Sequence, residues 1–184
     1  MKKIFVVASI LLMCCMFMGC GVKGQLVGTW KSSVEYEDSE SSANFEVTIL
    51  DDIPIKLYLP AICISKTSDT LTLNKDGTFS WNTVETETYS VNMDAAEDEE
   101  EIQEGATLKS LDDSKYTTKM SGTWYYHDSD KVILKITNSS EQYNDEDPEV
   151  DNEVSYMSAE IVLVDDILFV DNNWNGILEF TKAE

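Results

Sequence analysis

The stretch Asp171-Asn172-Asn173-Trp174-Asn175-Gly176 has the residue types and spacing that come nearest to metal chemistry. Oxygen donors at its first, third and fifth positions, ahead of a glycine, fit the opening of a calcium loop. Asp171, Asn173 and Asn175 would be the ligands, and Leu178 supplies the apolar residue two beyond the glycine. The twelfth position, which should hold a bidentate glutamate, is Lys182, and no flanking helices are expected. Asn and Gly are also what a β-turn demands, so a turn is the default reading and a calcium site the alternative. Other chemistries find less support. His127 is the only histidine and sits in the turn-like run HDSDK, so a Ser-His-Asp arrangement would have to be built around an exposed loop. With 35 acidic residues, carboxylate pairs arise by chance and carry no glycosidase geometry. One His and one usable Cys are too few for a zinc site with the usual N/S ligands, and no Gly-rich phosphate loop is present. The chain reads as a non-enzyme that needs no cofactor.

Cysteine chemistry leads elsewhere. Met1-Lys2-Lys3 is a short cationic region, residues 4–17 form an uncharged apolar run, and Gly19-Cys20-Gly21 closes it with small residues. That is a secretory signal, too short for a comfortable transmembrane helix of about 20 apolar residues. Phe17-Met18-Gly19-Cys20 resembles the bacterial lipobox, in which a small residue precedes a cysteine that is diacylated, cleaved and acylated again on its new amine. The resemblance implies a signal peptide over 1–19, lipidation at Cys20, a short tether over 20–25 and one domain over 26–184. It places that domain outside the cytoplasm, lipid-anchored to a membrane of the bacterial cell envelope. Of four cysteines, Cys14 and Cys15 fall in the leader and Cys20 carries the lipid, which leaves Cys63 alone. No intramolecular disulfide can form. Cys63 lies in the apolar stretch Ala61-Ile62-Cys63-Ile64 and reads as a small buried hydrophobe.

A mature chain of about 165 residues supports one domain with its own core. It carries 11 basic and 35 acidic residues, a formal charge of −24, and no arginine. Phosphate recognition rests on Lys and Arg neutralising charge, so nucleic acid is excluded as a partner. Membrane attachment must come from acyl chains rather than from a basic patch. The acids cluster in 94–104 (DAAEDEEEIQE), 141–153 (EQYNDEDPEVDNE) and, more weakly, 35–40. Such runs cannot bury enough apolar surface to offset their ordering entropy and read as solvated loops.

Between these blocks the hydrophobic period is two. Residues 70–73 and 78–81 alternate around Asn74-Lys75-Asp76-Gly77, a hairpin signal. A second hairpin joins 122–126 to 132–136, a third joins 158–164 to 167–170, and 177–181 ends the chain as a strand. Residues 26–31, 45–49 and 55–64 add strands, with Pro54 and Pro60 arguing for an edge or a bend. The pattern predicts an all-β fold, an antiparallel meander with acidic loop insertions, as a barrel or a sandwich.

The triplet Gly-Thr-Trp occurs twice, in GQLVGTWK (24–31) and SGTWYY (121–126). A first strand carrying Gly-x-Trp, ahead of such a meander, resembles the lipocalin and calycin barrels. The order LVGTWK, LTLNKDGTFSW, SGTWYYHDSDKVILKI, DDILFV and GILEFTK is similar to the lipocalin-like domains of bacterial lipoproteins. The resemblance implies an up-and-down meander closing into a barrel of about eight strands, in which Gly28 lets the first strand approach its neighbours and Trp30 plugs the closed end. Lys182 stands where the family commonly lays an arginine across that tryptophan. The Thr-Asp-Tyr loop of eukaryotic lipocalins has no counterpart, so their ligand chemistry does not carry over.

Two functions follow as expectations. One is a lipid-anchored barrel that binds a small, largely apolar molecule or peptide at its mouth. The other is a surface interaction or envelope-maintenance module, with a filled barrel and acidic loops contacting protein or cations.

Overall fold

The computed structural model describes residues 22–48, 54–95, 106–127, 131–171 and 177–183. A five-residue helix, α1 (Val22–Leu26), precedes ten strands. These are β1 (Gly28–Thr48), β2 (Ile55–Leu73), β3 (Thr78–Val91), β4 (Thr107–Ser110), β5 (Ser114–Tyr126), β6 (Lys131–Tyr143), β7 (Glu149–Asp151), β8 (Ser155–Val164), β9 (Ile167–Asp171) and β10 (Ile177–Lys182). All pairings are antiparallel, and β1-β2-β3-β5-β6-β8-β9-β10 closes on itself through β10 and β1. The fold is all-β, as the period-two pattern predicts, and of barrel and sandwich it takes the eight-stranded barrel that the lipocalin resemblance implies, with β4 and β7 outside the ring. Closure is brief: Trp30 faces Lys182 and Lys31 faces Thr181, and the Ala183 N–H donates to the Thr29 carbonyl at 2.8 Å.

Alternation sends every second side chain inward. Trp30, Leu73, Phe79, Trp124, Leu134 and Phe180 are buried members of one cluster that fills the barrel. Trp81 meets Phe180 edge to face, with ring centroids 6.0 Å apart, the geometry that the ring quadrupole favours. The lower end is closed by α1, whose Leu26 belongs to the same cluster, and by the hairpin after β2. There Gly77 takes φ of 87°, which glycine adopts without Cβ strain. Asp76 accepts from the Thr78 hydroxyl at 2.7 Å and the Thr78 N–H at 2.9 Å. Those bonds hold its carboxyl below the usual range.

The second Gly-Thr-Trp has a mechanical cause. The β5–β6 register shifts between Ser121 and Gly122, and a Cβ on Gly122 would collide with the Lys135 carbonyl oxygen. Only glycine lets the two backbones come this close.

Several strands outrun the barrel. β1 has 21 residues and β2 has 19, against a usual five or six or so. Beyond the ring, the far half of β1 pairs with β4 instead of β10, and the far half of β6 pairs with β7 instead of β8. Ala43, Phe45, Val47, Leu59 and Ala61 form a second, separate core there. The segment between β4 and β5 is tied across it. The Asn44 N–H donates to the Asp112 carboxylate at 2.7 Å, and the Tyr89 N–H to that of Asp113 at 2.9 Å.

Two of the acidic runs differ from the loops expected of them, whereas most of the third, 94–104, lies outside the described residues. Residues 35–40 lie within β1, where Glu35 faces Lys66 in register and pairs with it at 3.6 Å. Asp38 sits at a bulge and accepts from the Glu40 N–H and the Ser41 hydroxyl, each at 2.9 Å; these bonds lower its pKa. Within 141–153, β6 continues to Tyr143 and β7 pairs back onto Ser139, Ser140 and Glu141, leaving only a short turn. A charge run reports that side chains are solvated; its backbone remains free to join a ladder. Leu26, expected to begin the first strand, ends α1, and 55–64 and 70–73 belong to one strand. Pro60 does mark an edge: pairing of β2 with β3 starts only at Ala61. Because N and O of one strand residue point the same way, and the Pro60 carbonyl accepts from Asn92 at 2.9 Å, its missing N–H falls where that ladder ends.

Candidate functional site

The barrel interior is packed at its lower end and opens above Trp81. Register places three rows of inward residues side by side on β3, β5 and β6: Trp81, Met120, Ser139; then Thr83, Thr118, Glu141; then Glu85, Tyr116, Tyr143. With Ile136, Ser155 and Met157, the first two rows and Glu85 and Tyr116 line a recess of about 350 Å³ at the barrel mouth. Its floor is apolar, formed by Trp81, Met120, Ile136 and Met157. Its wall carries hydroxyls and carboxylates. The period-two rule continues past the hydrophobic part of each strand, so the polar residues that follow a core residue at i+2 and i+4 face inward as well.

One hydrogen-bonded unit stiffens this wall. Asp69 of β2, 4% exposed, accepts from the Trp81 indole N–H at 2.8 Å and from the Thr83 hydroxyl at 2.6 Å, both at Oδ1. The pair supplies donors to a carboxylate that would otherwise lose its hydration unpaired. Higher up, interaction with the Glu141 carboxylate, then some burial and the charge of Glu85, raise the pKa of Tyr116. Among the described residues, no basic one lines the recess.

Other depressions lie elsewhere on the molecule. A cleft of about 460 Å³ opens where β1 parts from β10, between Ser33, Val34, Ile177 and Glu179; it follows from the short closure of the ring. On the outer face, a depression of about 380 Å³ lies over the β5–β6 bulge beside Val150.

The sequence-derived site residues fall elsewhere. Cys20 lies outside the described residues. Gly28 takes φ of 146°, and a Cβ there would stand 3.0 Å from Lys182 Cε. Trp30 is buried, its indole N–H donating to the Leu26 carbonyl at 2.8 Å, and Lys182 Nζ lies 5.2 Å from its ring centroid. These three residues meet at the closed end, opposite the recess. Asp171 ends β9, whereas Asn173 and Asn175 lie outside the described residues. Lys182, the twelfth position of that run, extends over Trp30. Among the described residues, no three His, Cys, Asp or Glu side chains converge as a metal site, and no helix is long and apolar enough to cross a membrane. His127 follows β5, its N–H donating to the Lys131 carbonyl at 2.9 Å. Cys63 is buried and sits against the Tyr89 hydroxyl, which it pushes upward in pKa together with burial and Glu87.

Sequence reading missed Asp69, Thr83, Glu85, Tyr116 and Glu141 as a group. The available signal was the continued alternation Trp81-x-Thr83-x-Glu85 and Tyr116-x-Thr118-x-Met120. Only the register between strands brings those two rows together. No protein-family model and no curated protein matches this sequence.

Proposed function

We propose that the protein is an extracytoplasmic lipoprotein of the bacterial cell envelope, held by acyl chains on Cys20, whose lipocalin-like barrel binds a small, largely apolar molecule or peptide segment at its mouth. The observation that carries this reading is the recess of about 350 Å³ with an apolar floor, a size within the range of small-molecule sites. The leader ending in Gly19-Cys20-Gly21 supports the anchor. The meeting of Gly28, Trp30 and Lys182 at the closed end supports the lipocalin likeness. The packed lower barrel favours a second reading, in which the molecule is a surface interaction module with no cavity ligand.

Titration with Nile red, a neutral apolar dye, separates the two. Binding at the mouth predicts one saturable site that disappears in Met120→Trp, where the larger side chain fills the recess. No saturable site, or one indifferent to Met120→Trp, favours the interaction module. For the anchor, Cys20→Ala should move the protein out of the membrane fraction or leave it as an unprocessed precursor. Fractionation and migration like wild type would rule lipidation out.

A further inference from the structure

We propose that the mouth recess selects an organic cation, an ammonium carried on a compact apolar group. The inference rests on the reading of the mouth as a binding site and names the class of ligand it takes.

The argument is one of placement. Glu85 lies directly across from Tyr116 on neighbouring strands, and Glu141 lies in the adjacent row. Side chains directly opposite are about 5 Å apart and diagonal ones about 7 to 8 Å apart, so the two carboxylates flank the Tyr116 ring. Tyr116 feels Glu141 closely enough for its pKa to be raised, and Glu85, Tyr116 and Glu141 all line the one recess. Below lies Asp69, held by Trp81 and Thr83. The interior wall is therefore acidic from Asp69 to the rim, and it sits above an apolar floor.

Among the described residues, no basic side chain lines the recess to offset that charge. Lys115 and Lys119 alternate with Tyr116, Thr118 and Met120 on β5, so their Cα–Cβ bonds point to the outer face. An anionic ligand would meet carboxylates of its own sign with no lining cation beside them, which is repulsive. A neutral ligand would gain from the floor alone and leave the repulsion between carboxylates in place. An ammonium between Glu85 and Glu141 relieves that repulsion and accepts both carboxylates as hydrogen-bond partners. It also lies within reach of the Tyr116 ring face, where cations are attracted by the ring quadrupole. Its apolar group then covers Trp81, Met120, Ile136 and Met157.

Three compounds of matched shape test this: phenethylammonium, 2-phenylethanol and phenylacetate. Each is titrated into the purified chain by calorimetry in about 0.15 M salt, which screens diffuse attraction to the acidic surface. Phenethylammonium should bind with one-to-one stoichiometry, at least about tenfold more tightly than 2-phenylethanol, given two carboxylates and one ring face. Phenylacetate should not bind. The double variant Glu85→Gln with Glu141→Gln should lose about that tenfold for the ammonium. Its affinity for the alcohol should be unchanged, and near-ultraviolet circular dichroism should show it folded. Asp166→Asn, in the turn at the far end of β8 from Ser155, removes the same kind of charge about 30 Å of strand away; it should alter neither affinity. Equal affinity for ammonium and alcohol overturns the cation inference and leaves the binding site standing, as does an equal loss in Asp166→Asn. Absence of saturable binding by all three compounds overturns the reading of the mouth itself.

Discussion

Trp30 shows how much one residue is asked to hold. It fills the closed end, bonds the carbonyl that ends α1, and lies under Lys182 of the last strand. It thus ties the helix, the first strand and the last strand together. Trp30→Ala should cost about 3 to 5 kcal/mol, read as a lowered urea midpoint; an unchanged midpoint would mean that the closed end repacks without it. At the mouth, Tyr116 has an effect of the opposite kind, visible only against pH. Its folded pKa is raised, so the folded state keeps the proton longer than the unfolded chain, and stability falls as pH rises above the unfolded value of about 10. That contribution is fully present below about pH 10. Tyr116→Phe should therefore flatten part of the decline in urea midpoint between about pH 9 and 11. A parallel decline in variant and wild type would show that the interaction with Glu141 has no energetic weight.

At the level of elements, the bulge between β5 and β6 brings two backbones too close for a Cβ at Gly122. It also starts the upper half of the recess, because Met120 and Ser139 lie just beyond it. Gly122→Ala must displace the Lys135 carbonyl and with it the ladder. The expected loss is more than about 2 kcal/mol, a cost typical of overpacking against backbone. Gly24→Ala, in α1 with open space where the Cβ would stand, should be neutral or gain up to about 1 kcal/mol through helix propensity. Urea denaturation of the two variants decides it, and similar midpoints would show that the bulge can open cheaply. The long strands matter at this scale too. Carrying β1, β2, β3, β5 and β6 beyond the ring gives the mouth its wall, since Thr83, Glu85, Tyr116, Thr118 and Glu141 all come from β3, β5 and β6.

For the whole molecule, the dominant long-range force is self-repulsion. The chain carries a formal charge of −22 with its leader, 35 acids against 13 basic residues, so most of the acids have no cation to pair with. Lys66 with Glu35, and Lys131 with Glu160, are exposed pairs of small energetic weight. Salt should therefore stabilise the fold by screening repulsion. Raising NaCl from about 10 mM to about 0.5 M should lift the Tm by roughly 3 °C or more, the shift expected for about 1 kcal/mol in a domain of this size. A flat or falling Tm would place the acids too far apart, or too well solvated, to oppose folding.

The sequence alone determined the fold class, because period-two alternation and turn residues such as Asp76-Gly77 are local properties that each strand states for itself. It likewise determined that Trp30 would be a core residue near the start and that Cys63 would be an apolar filler. It misjudged 35–40 and much of 141–153, since solvation of side chains is local information whereas pairing of their backbone with 63–67 or 139–141 depends on a partner far along the chain. The site was out of reach for the same reason. Asp69 and Trp81, or Glu85, Tyr116 and Glu141, are separated by a dozen to several dozen residues and meet only when register is set. Register is fixed by burial of the whole hydrophobic face together with the bulges at Asp38 and Gly122, and a shift of one residue would turn every wall side chain outward. That decision belongs to the closed barrel, where the strands must all satisfy one core at once.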